Sequence, residues 1–278
     1  MQSSWEISHR TKFPDFYIKE IWQYRELLLR LVRRDFLASY KQTLLGSLWI
    51  FIQPMLTALV YVVVFKNIIG ISTAGKPGLL FYFGSVILWT FFSESVAAVS
   101  YTYSSHAQIF NKVYFPRIVV SCALILSQLA RLGIQFGIYL LVFFWSMAKT
   151  GATHPNQLVV LFPFLVLILV LMSMGIGLIF AALSVRYRDL HNLLSFLIRI
   201  WMFATPVIYP MNVVPAKYQT LLLLNPVAPV LEFFRYAFLG TGMHDMMHLG
   251  YAFICAVVSF VVGMILFNVR DAKVMDII

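Results

Sequence analysis

The sequence has few charged side chains. Of its 278 residues, 12% are Asp, Glu, Lys or Arg, and only 11 residues are acidic. A typical soluble domain is about 25% charged, so this chain lacks the side chains that would cover a surface facing water on all sides. It also lacks a tight cluster of acids and a Gly-x-Ser-x-Gly segment, two patterns that hydrolytic enzymes use. These absences argue against an enzyme.

Cysteine is scarce as well, and the pattern of a signal peptide is missing. Cys122 and Cys255 both lie in apolar runs, where an unpaired cysteine ordinarily acts as a small apolar side chain, so no disulfide framework is indicated. Residues 1–43 mix polar and aromatic side chains instead of placing an apolar core before a cleavage site. We therefore expect no cleavable signal peptide.

Long apolar runs dominate the rest of the chain. Apolar residues make up 61% of the sequence, and the mean hydropathy is +0.84. A bilayer core requires about 20 apolar residues per helix. No water is available there for backbone groups, and no alternating pattern of barrel strands is present, so the runs must be helical. The sequence predicts an all-α polytopic membrane protein, with a transmembrane domain at 44–268 and six spans at about 44–65, 79–101, 118–148, 158–185, 193–209 and 249–268.

The segment between spans five and six differs from the spans. Residues 211–240 are apolar but are interrupted by Pro215, Pro226 and Pro229, and each proline limits the length of a helix. Broken helices are tolerated at membrane depth only where protein buries their backbone. The pattern therefore predicts a re-entrant pair of short helices.

The N-terminal segment, residues 1–43, precedes the first span. Residues 16–37 carry an apolar stripe together with several Lys and Arg, which predicts an amphipathic helix lying in the membrane interface. The same helix would also suit docking of a cytoplasmic partner, and the two roles are compatible. Residues 269–278 follow the last span as a cytoplasmic tail.

The distribution of Lys and Arg predicts the orientation. Of the 21 in the chain, fourteen lie before span one or after spans two, four and six. Cytoplasmic segments carry the excess of positive charge, so both termini are expected in the cytoplasm. This bias and contact with anionic lipid account for the net charge of +10 without a nucleic acid partner. The other side of the membrane receives Lys66, Lys76, Lys149, Lys217 and Arg235.

Three charged residues fall inside the predicted spans, namely Glu94, Arg131 and Arg199. Charge at membrane depth is costly and marks a functional site or a helix-locking pair, and the sequence leaves both roles open. Counting about 1.5 Å per residue, Glu94 and Arg199 lie at nearly the same depth, so we expect them to pair, with Arg131 as a less favoured partner. Deep aromatic residues suit a path for carbohydrate. The candidate path residues are Trp49, Gln53, Phe92, Glu94, Arg199, Trp201 and Phe203.

Two other segments resemble known motifs only in part. Residues 70–77 follow most of the nucleotide-binding P-loop, but Pro77 stands where the motif needs Ser or Thr to hold Mg²⁺, and the segment is predicted on the non-cytoplasmic side. His244 and His248 lie one helical turn apart, as in zinc proteases, without a third ligand nearby in the sequence. We expect neither a nucleotide site nor a metal site in this chain.

Several segments resemble the ABC type-2 polysaccharide export permeases. They follow in the family's order over residues 25–240, and the similarity is greatest to the O-antigen export permeases, with capsule and teichoic-acid exporters as near relatives. The segments are Tyr40–Trp49 with Gln53-Pro54, Asn111–Arg117, Tyr187–Leu190, Thr205–Pro210, Val214-Pro215, Leu224–Pro226 and Phe234-Arg235.

The resemblance implies a homodimer of permeases in the bacterial inner membrane, with two cytoplasmic ATP-binding-cassette subunits. Those subunits would bind ATP and Mg²⁺, so this chain would need no cofactor. The implied cargo is an undecaprenyl-pyrophosphate-linked glycan, with O-antigen favoured. The residues implied to couple to the ATPase lie in two cytoplasmic loops, where Tyr114 and Phe115 would offer aromatic contacts to the partner: Asn111, Lys112, Val113, Tyr114, Phe115, Pro116, Arg117, Arg186, Tyr187, Arg188 and Asp189.

Two alternatives remain at the level of the sequence. A type-2 exporter of a drug or small lipid would share the fold, but the two cytoplasmic loop sequences fit the glycan exporters. A membrane-embedded transferase would need paired carboxylates or a nucleophile with its base at the membrane surface, and the short loops supply neither.

Overall fold

The structure, a computed structural model, describes residues 22–41, 43–105, 115–151, 154–187 and 189–275. Within these ranges every regular element is a helix, which confirms the predicted all-α class. The helices of eight residues or more are α1 (Arg25–Tyr40), α2 (Trp49–Tyr61), α3 (Gly78–Ser100), α4 (Ile118–Thr150), α5 (Phe162–Ser184), α6 (Leu190–Phe203), α7 (Ala216–Leu223), α8 (Val227–Leu239) and α9 (Met246–Met275).

Shorter helical segments lengthen α2 and α5. The 3-10 turn Gly46–Leu48 leads into α2, and the π-helical segment Val62–Ile68 continues it. Gln157–Leu161 leads in the same way into α5. The described chain then has five helices that are long and apolar enough to cross a membrane, and they coincide with predicted spans one to four and six: Gly46–Ile68, Gly78–Ser100, Ile118–Lys149, Gln157–Ser184 and Met246–Arg270.

Predicted span five, residues 193–209, does not form one helix. Helix α6 begins three residues earlier and ends at Phe203, because Pro206 disfavours helical backbone at Thr205. The 14 residues of α6 are about 21 Å long, which is shorter than the ~30 Å hydrocarbon core of a bilayer. The chain then turns through a close backbone contact, in which the N–H of Val207 donates to the carbonyl of Thr205 at 2.7 Å.

Helices α7 and α8 follow the proline-interrupted segment. Their axes are bent by 107° at the break around Asn225 and Pro226, a geometry that fits either a re-entrant pair or one broken span. Every residue of α8 except Tyr236 is buried. This burial meets the condition that irregular backbone at membrane depth requires, and the re-entrant arrangement stays a prediction.

Helix α3 lies at the centre of the packing. It is the most buried of the five long helices, and it packs against α2, α4, α5, α6 and α8. An aromatic cluster fills the space between α4, α5 and α8, where the ring of Tyr139 lies 5.4 Å from that of Phe234 and 5.7 Å from that of Phe238. Such tilted and edge-to-face pairs add to the energy of apolar burial, so this cluster anchors α8 in the core.

Helices α5 and α9 approach each other through glycine. A Cβ atom on Gly175 would overlap the backbone of Ser259 and Phe260, and one on Gly263 would overlap the carbonyl of Gly175. Small residues allow the backbones of membrane helices to come into direct contact. The absence of a side chain at these two positions therefore sets the crossing of α5 and α9.

Helix α1 packs along the start of α4 by one face. Leu28 and Leu31 are buried there in an apolar cluster with Phe115 and Val119. Most of the opposite face carries exposed polar or charged side chains, including Arg30, Arg33 and Arg34. Helix α1 is thus amphipathic over the part of the predicted residues 16–37 that the structure describes, and its placement in a membrane interface stays a prediction.

Candidate functional site

The predicted path residues divide into a packed group and an exposed group. Phe92 is fully buried, and its ring meets the partly buried ring of Trp201 edge-on with centroids 5.2 Å apart. These two rings belong to the core between α3 and α6. Glu94 is half-buried and forms an ion pair. The exposed group is Trp49, Gln53, Arg199 and Phe203.

An exposed stripe on α6 combines polar and aromatic side chains. Asn192, Phe196, Arg199 and Phe203 are all exposed, and spacings of four, three and four residues place them on one helix face. Arg199 forms no ion pair with any residue that the structure describes. The guanidinium and the amide on this face are therefore open to a ligand or to another chain.

Helix α2 is also widely exposed, and it contacts α6 near the C-terminal ends of both helices. The hydroxyl of Tyr61 donates to the sulfur of Met202 at 3.7 Å, which joins the two helices. Exposed residues of α2 share one face at the same four-three-four spacing, with Trp49 and Gln53 at one end and apolar side chains beyond them: Trp49, Gln53, Leu56 and Val60. The two neighbouring helices thus present uncovered faces that are apolar for most of their length and polar at a few positions.

The ion pair of Glu94 differs from the expected one. Nη1 of Arg131 lies 3.7 Å from Oε2 of Glu94, with the side chains 20% and 43% exposed. The prediction that Glu94 pairs with Arg199 is wrong. Glu94 instead pairs with Arg131, which was the less favoured candidate. Counting residues gives the depth of a side chain in a helix but not the direction in which it points. Arg199 is exposed on α6, whereas Arg131 of α4 faces Glu94 of α3.

A second and tighter ion pair lies inside α8. Nη1 of Arg235 is 2.8 Å from Oε1 of Glu232, and each side chain is only 1% exposed. The distribution of Lys and Arg assigns Arg235 to the non-cytoplasmic side, within the predicted re-entrant segment, and the sequence pattern predicted no role for Glu232. Both charges lie in a helix that protein surrounds on almost all sides. The spacing of three residues, which places two side chains on one helix face, was the available signal.

The guanidinium of Arg235 joins three parts of the fold. Its Nε donates to Oγ of Ser85 in α3 at 2.9 Å, and its Nη2 and Nη1 donate to the carbonyls of Val207 and Tyr209 at 2.8 and 3.2 Å. The cation also lies 3.9 Å from the ring centroid of Phe81. Because the buried charge has a carboxylate and three further acceptors, its desolvation is compensated, and it fixes the turn after α6 to α3 and α8.

Asn225 joins the break between α7 and α8 to the end of α6. Its Oδ1 accepts from the indole N–H of Trp201 at 2.9 Å and from the backbone N–H of Val227 at 3.1 Å. Its Nδ2 donates to the carbonyl of Ala204 at 3.1 Å and to the hydroxyl of Thr205 at 2.7 Å. Trp201, a predicted path residue, therefore supports this junction with its polar atom.

We expect Asn225→Ala to destabilise the protein by about 2–4 kcal/mol, because four hydrogen-bonding groups lose their partner at about 1 kcal/mol each. Thermal unfolding of the purified protein in detergent measures the change. Asn212→Ala is the matched control, since Asn212 is exposed in the neighbouring loop and should leave the midpoint unchanged. Equal midpoints for both variants would contradict the role of Asn225.

The structure describes only part of the first predicted coupling loop. Asn111–Tyr114 lie outside the described residues, as does Arg188 of the second loop. Phe115 is 4% exposed and belongs to the same apolar cluster as Leu28 of α1. Its ring is therefore buried in this chain, which differs from the expected contact with a partner's groove. Pro116 accepts the N–H of Val119 at 3.0 Å at the start of α4, and Arg117 is buried with its guanidinium 5.6 Å from the ring of Tyr103.

The second loop is more accessible. The guanidinium of Arg186 lies 5.2 Å from the ring centroid of Tyr187, and both residues are exposed. Asp189 is exposed and stands immediately before α6. These three residues remain available to a partner, as their predicted role requires, and that role stays a prediction.

A stacked pair of rings connects the two loop regions. The ring of Tyr101, after α3, lies parallel to the imidazole of His191, at the start of α6, with centroids 4.0 Å apart. Partial burial lowers the pKa of His191, so the imidazole in this stack is neutral at pH 7. The contact fixes the end of α3 against the residues that follow the second loop.

The two histidines before and within α9 point to different partners. The ring of His244 stacks on Tyr236 with centroids 4.3 Å apart, whereas Nδ1 of His248 lies 2.6 Å from Oδ2 of Asp245. The N–H of Met247 and the imidazole of His248 hold the pKa of Asp245 below its ordinary value. Asp245 thus acts as the N-terminal cap of α9.

Comparison with known proteins identifies the family. A family model described as ABC-2 type transporter matches residues 26–239. The chain is 31% identical over 230 residues, 82% of its length, to the O-antigen export system permease protein RfbA of Myxococcus xanthus, covering 86% of that protein. It is 26% identical over 243 residues to a protein of the same name from Klebsiella pneumoniae, covering 87% of this chain and 91% of that protein. It is 23% identical over 244 residues to the polysialic acid transport protein KpsM of Escherichia coli, covering 86% and 91%.

The fold and these matches define a multi-pass membrane transport protein. The matched region runs from α1 to the last residue of α8 and so includes the Glu94–Arg131 pair, the Asn225 junction and the Glu232–Arg235 pair. The chain belongs to the ABC-2 type transporter family.

Proposed function

We propose that the chain is the permease subunit of an exporter that moves a lipid-linked polysaccharide, with O-antigen as the favoured cargo, across the bacterial inner membrane. The relatives named as O-antigen export permeases and as a polysialic acid transport protein support this cargo class. The cargo is carried on undecaprenyl pyrophosphate in this proposal. Hydrolysis of ATP is assigned to a separate ATP-binding-cassette subunit.

The observation that carries the proposal is the exposed stripe on α6. A helix in a membrane protein should expose apolar side chains to lipid, yet Asn192, Phe196, Arg199 and Phe203 alternate polar and aromatic chemistry on one uncovered face. Aromatic rings offer apolar faces on which sugar rings stack, and amide and guanidinium groups bond to hydroxyls. The guanidinium of Arg199 also suits a pyrophosphate. The stripe therefore has the composition of a wall along which a glycan slides.

A homodimer would enclose this wall. The exposed faces of α2 and α6 lie on neighbouring helices, and each consists mainly of apolar side chains with a few polar ones. Two copies facing each other would bury the apolar rows and leave the polar and aromatic positions along a shared path. We assign the interface to these two helices.

The ATPase subunits would dock on the cytoplasmic side of the same dimer. Exposed basic residues of α1 and the exposed residues Arg186 and Tyr187 supply positive charge and aromatic surface there, and the loop at 111–117 is assigned to the same interface. Such side chains commonly anchor interfaces between proteins. Both termini lie in the cytoplasm in this arrangement, in agreement with the distribution of Lys and Arg.

Complementation of a strain that lacks the permease tests the function. The wild-type chain, expressed with its ATP-binding-cassette subunit, should restore polysaccharide on the cell surface. Arg199→Ala combined with Phe203→Ala should reduce surface polysaccharide at least tenfold. Both side chains are exposed, so their removal should change the thermal midpoint little.

The controls separate cargo handling from folding. Ile254→Ala removes an exposed apolar side chain of α9 and should export normally. The purified permease alone should not hydrolyse ATP. Normal polysaccharide export by the double variant would show that the α6 stripe does not handle the cargo. Restored transport of a drug or small lipid, with polysaccharide left inside the cell, would overturn the proposed cargo.

A further inference from the structure

The segment that joins α8 to α9 carries soft donor atoms on an accessible surface. Met243, Met246 and Met247 are all exposed, although methionine is among the side chains most often buried in a core. His248 follows them in the first turn of α9 and is partly exposed. This short stretch therefore offers sulfur and nitrogen donors to the surroundings of the protein.

The imidazole of His248 is oriented by a carboxylate. Its Nδ1 lies 2.6 Å from Oδ2 of Asp245, whose Oδ1 accepts the backbone N–H of Met247 at 2.8 Å. Because an ionised carboxylate can only accept, Nδ1 carries the hydrogen, and the lone pair of the neutral ring is on Nε2. Histidines that bind metals in proteins almost always donate their other ring nitrogen in this way. Asp245 therefore prepares Nε2 of His248 as a metal ligand.

Met243 shares a small cavity with His248. The cavity lies where α8 meets the start of α9, and Glu232 and Asp245 also contribute to its wall. The backbone N–H of Met243 donates to Oε2 of Glu232 at 3.3 Å, which holds the segment against α8. A thioether, an imidazole and two carboxylates thus border one space, and the negative charge of the carboxylates favours a cation there.

The donor atoms select a soft cation. Zinc sites are normally built from three or more His, Cys, Asp or Glu ligands, and the part of the chain that the structure describes contains no group of three such residues that could hold a metal. His244, the other histidine of this stretch, stacks on Tyr236 instead. Thioether sulfur is a soft ligand that suits Cu⁺, whereas Mg²⁺ and Ca²⁺ require oxygen. Cu⁺ also tolerates a low coordination number, so an imidazole and a thioether suffice.

We propose that Met243 and His248 form a binding site for Cu⁺, in which Sδ of Met243 and Nε2 of His248 are the ligands and Asp245 orients the imidazole. The expectation of no metal rested on the absence of a third ligand of the zinc-protease kind, which a soft cation does not need. The bound cation joins the segment after α8 to the first turn of α9. The distribution of Lys and Arg predicts that this segment lies on the non-cytoplasmic side, so the site would meet the metal ions of that compartment.

Titration of the purified permease in detergent with Ag⁺, a redox-inactive equivalent of Cu⁺, tests the site. Cys122 and Cys255, both free, are replaced by alanine in every protein compared, because a thiolate would compete for soft metals. A single Ag⁺ should bind and raise the thermal midpoint, since a ligand bound only by the folded state stabilises it. His248→Gln and Met243→Leu should each weaken binding at least tenfold. Asp245→Asn, which can still cap α9, should weaken it about tenfold.

Two exposed residues elsewhere in the chain provide matched controls. Met147→Leu removes a thioether near the end of α4, and His154→Gln removes an imidazole before α5. Both variants should bind Ag⁺ as tightly as the cysteine-free parent. The thermal midpoint without metal reports folding separately from affinity. In the protein that keeps its cysteines, His248→Gln should bind one Ag⁺ fewer than wild type, so the test does not depend on how well the cysteine-free parent folds.

Three outcomes would contradict the site. Equal affinity for Ag⁺ in the parent, His248→Gln and Met243→Leu would show an adventitious ion only. Loss of affinity in His248→Gln with none in Met243→Leu would overturn the paired site, because the thioether would then not be a ligand. Binding of Zn²⁺ as tight as that of Ag⁺, lost in the same variants, would overturn the assignment to a soft cation.

Discussion

Arg235→Met should prevent the protein from accumulating in folded form. The substitution keeps much of the side-chain volume but leaves the Glu232 carboxylate buried without its cation, which costs about 3–5 kcal/mol. It also removes the donors to Ser85, Val207 and Tyr209. Because membrane and soluble domains alike are stable by only about 5–15 kcal/mol, we expect the monodisperse fraction in detergent to fall severely.

Replacing an exposed arginine with methionine separates the effect of burial from the effect of losing a charge. Arg199→Met removes a cation from α6, where the side chain is exposed, and should leave the yield and the thermal midpoint near wild type. The double variant Glu232→Leu with Arg235→Met removes both buried charges and should recover part of the loss. A single Arg235→Met variant that unfolds at the wild-type temperature would show that the pair contributes little.

Gly175→Leu should be equally damaging for a steric reason. The backbones of α5 and α9 touch at this position, and even a Cβ atom would overlap Ser259 and Phe260. A larger side chain therefore forces the two helices apart and loses their packing along a whole face. We expect little folded protein, measured as the monodisperse fraction after solubilisation.

Gly250→Ala provides the control on α9. No atom lies within 4 Å of the Cβ that this substitution adds, and Ala is favoured over Gly inside a helix by roughly 0.8–1.0 kcal/mol. The thermal midpoint should stay the same or rise slightly. If Gly175→Leu folded as well as Gly250→Ala, direct backbone contact would not be what positions α5 against α9.

The sequence predicted where the helices lie better than it predicted which helices and side chains are in contact. Apolar runs gave the all-α class and located five of the spans, because burial in a bilayer demands length and composition that are visible in one dimension. The observed end of α6 differs from the predicted end of span five, because Thr205, which precedes Pro206, breaks the helix inside an apolar run. Hydropathy averages over such a break, whereas backbone sterics do not.

The charged residues show what a single sequence leaves undetermined. The depth of Glu94 was estimated by counting, but its partner depends on which helices are adjacent and how each is rotated about its axis, and so Arg131 was ranked below Arg199. Arg235 was assigned only to a side of the membrane, because the proline-interrupted re-entrant segment around it did not reveal how deeply protein buries its side chain. Its partner Glu232, three residues earlier, was the local pattern that would have revealed a buried pair.

Packing divides the predicted path residues into a buried group and an exposed group. Trp201 and Phe92 were grouped with Phe203 by their aromatic chemistry, but the structure buries Phe92 fully and Trp201 partly, and it exposes Phe203. Only the arrangement of α3 against α6 distinguishes a ring that fills the core from one that faces outward. The same holds for Phe115, whose burial under α1 depends on a contact between residues far apart in the chain.

During synthesis, Ser85 leaves the ribosome long before Glu232 and Arg235 do. A charged residue at the centre of a helix costs about 2.5–3.5 kcal/mol on scales of translocon insertion, so α8 gains little from entering lipid by itself. It becomes favourable only when α3 and the turn after α6 are already in place to accept the guanidinium. Membrane integration of α8 is therefore a late assembly step that depends on the earlier helices having remained together.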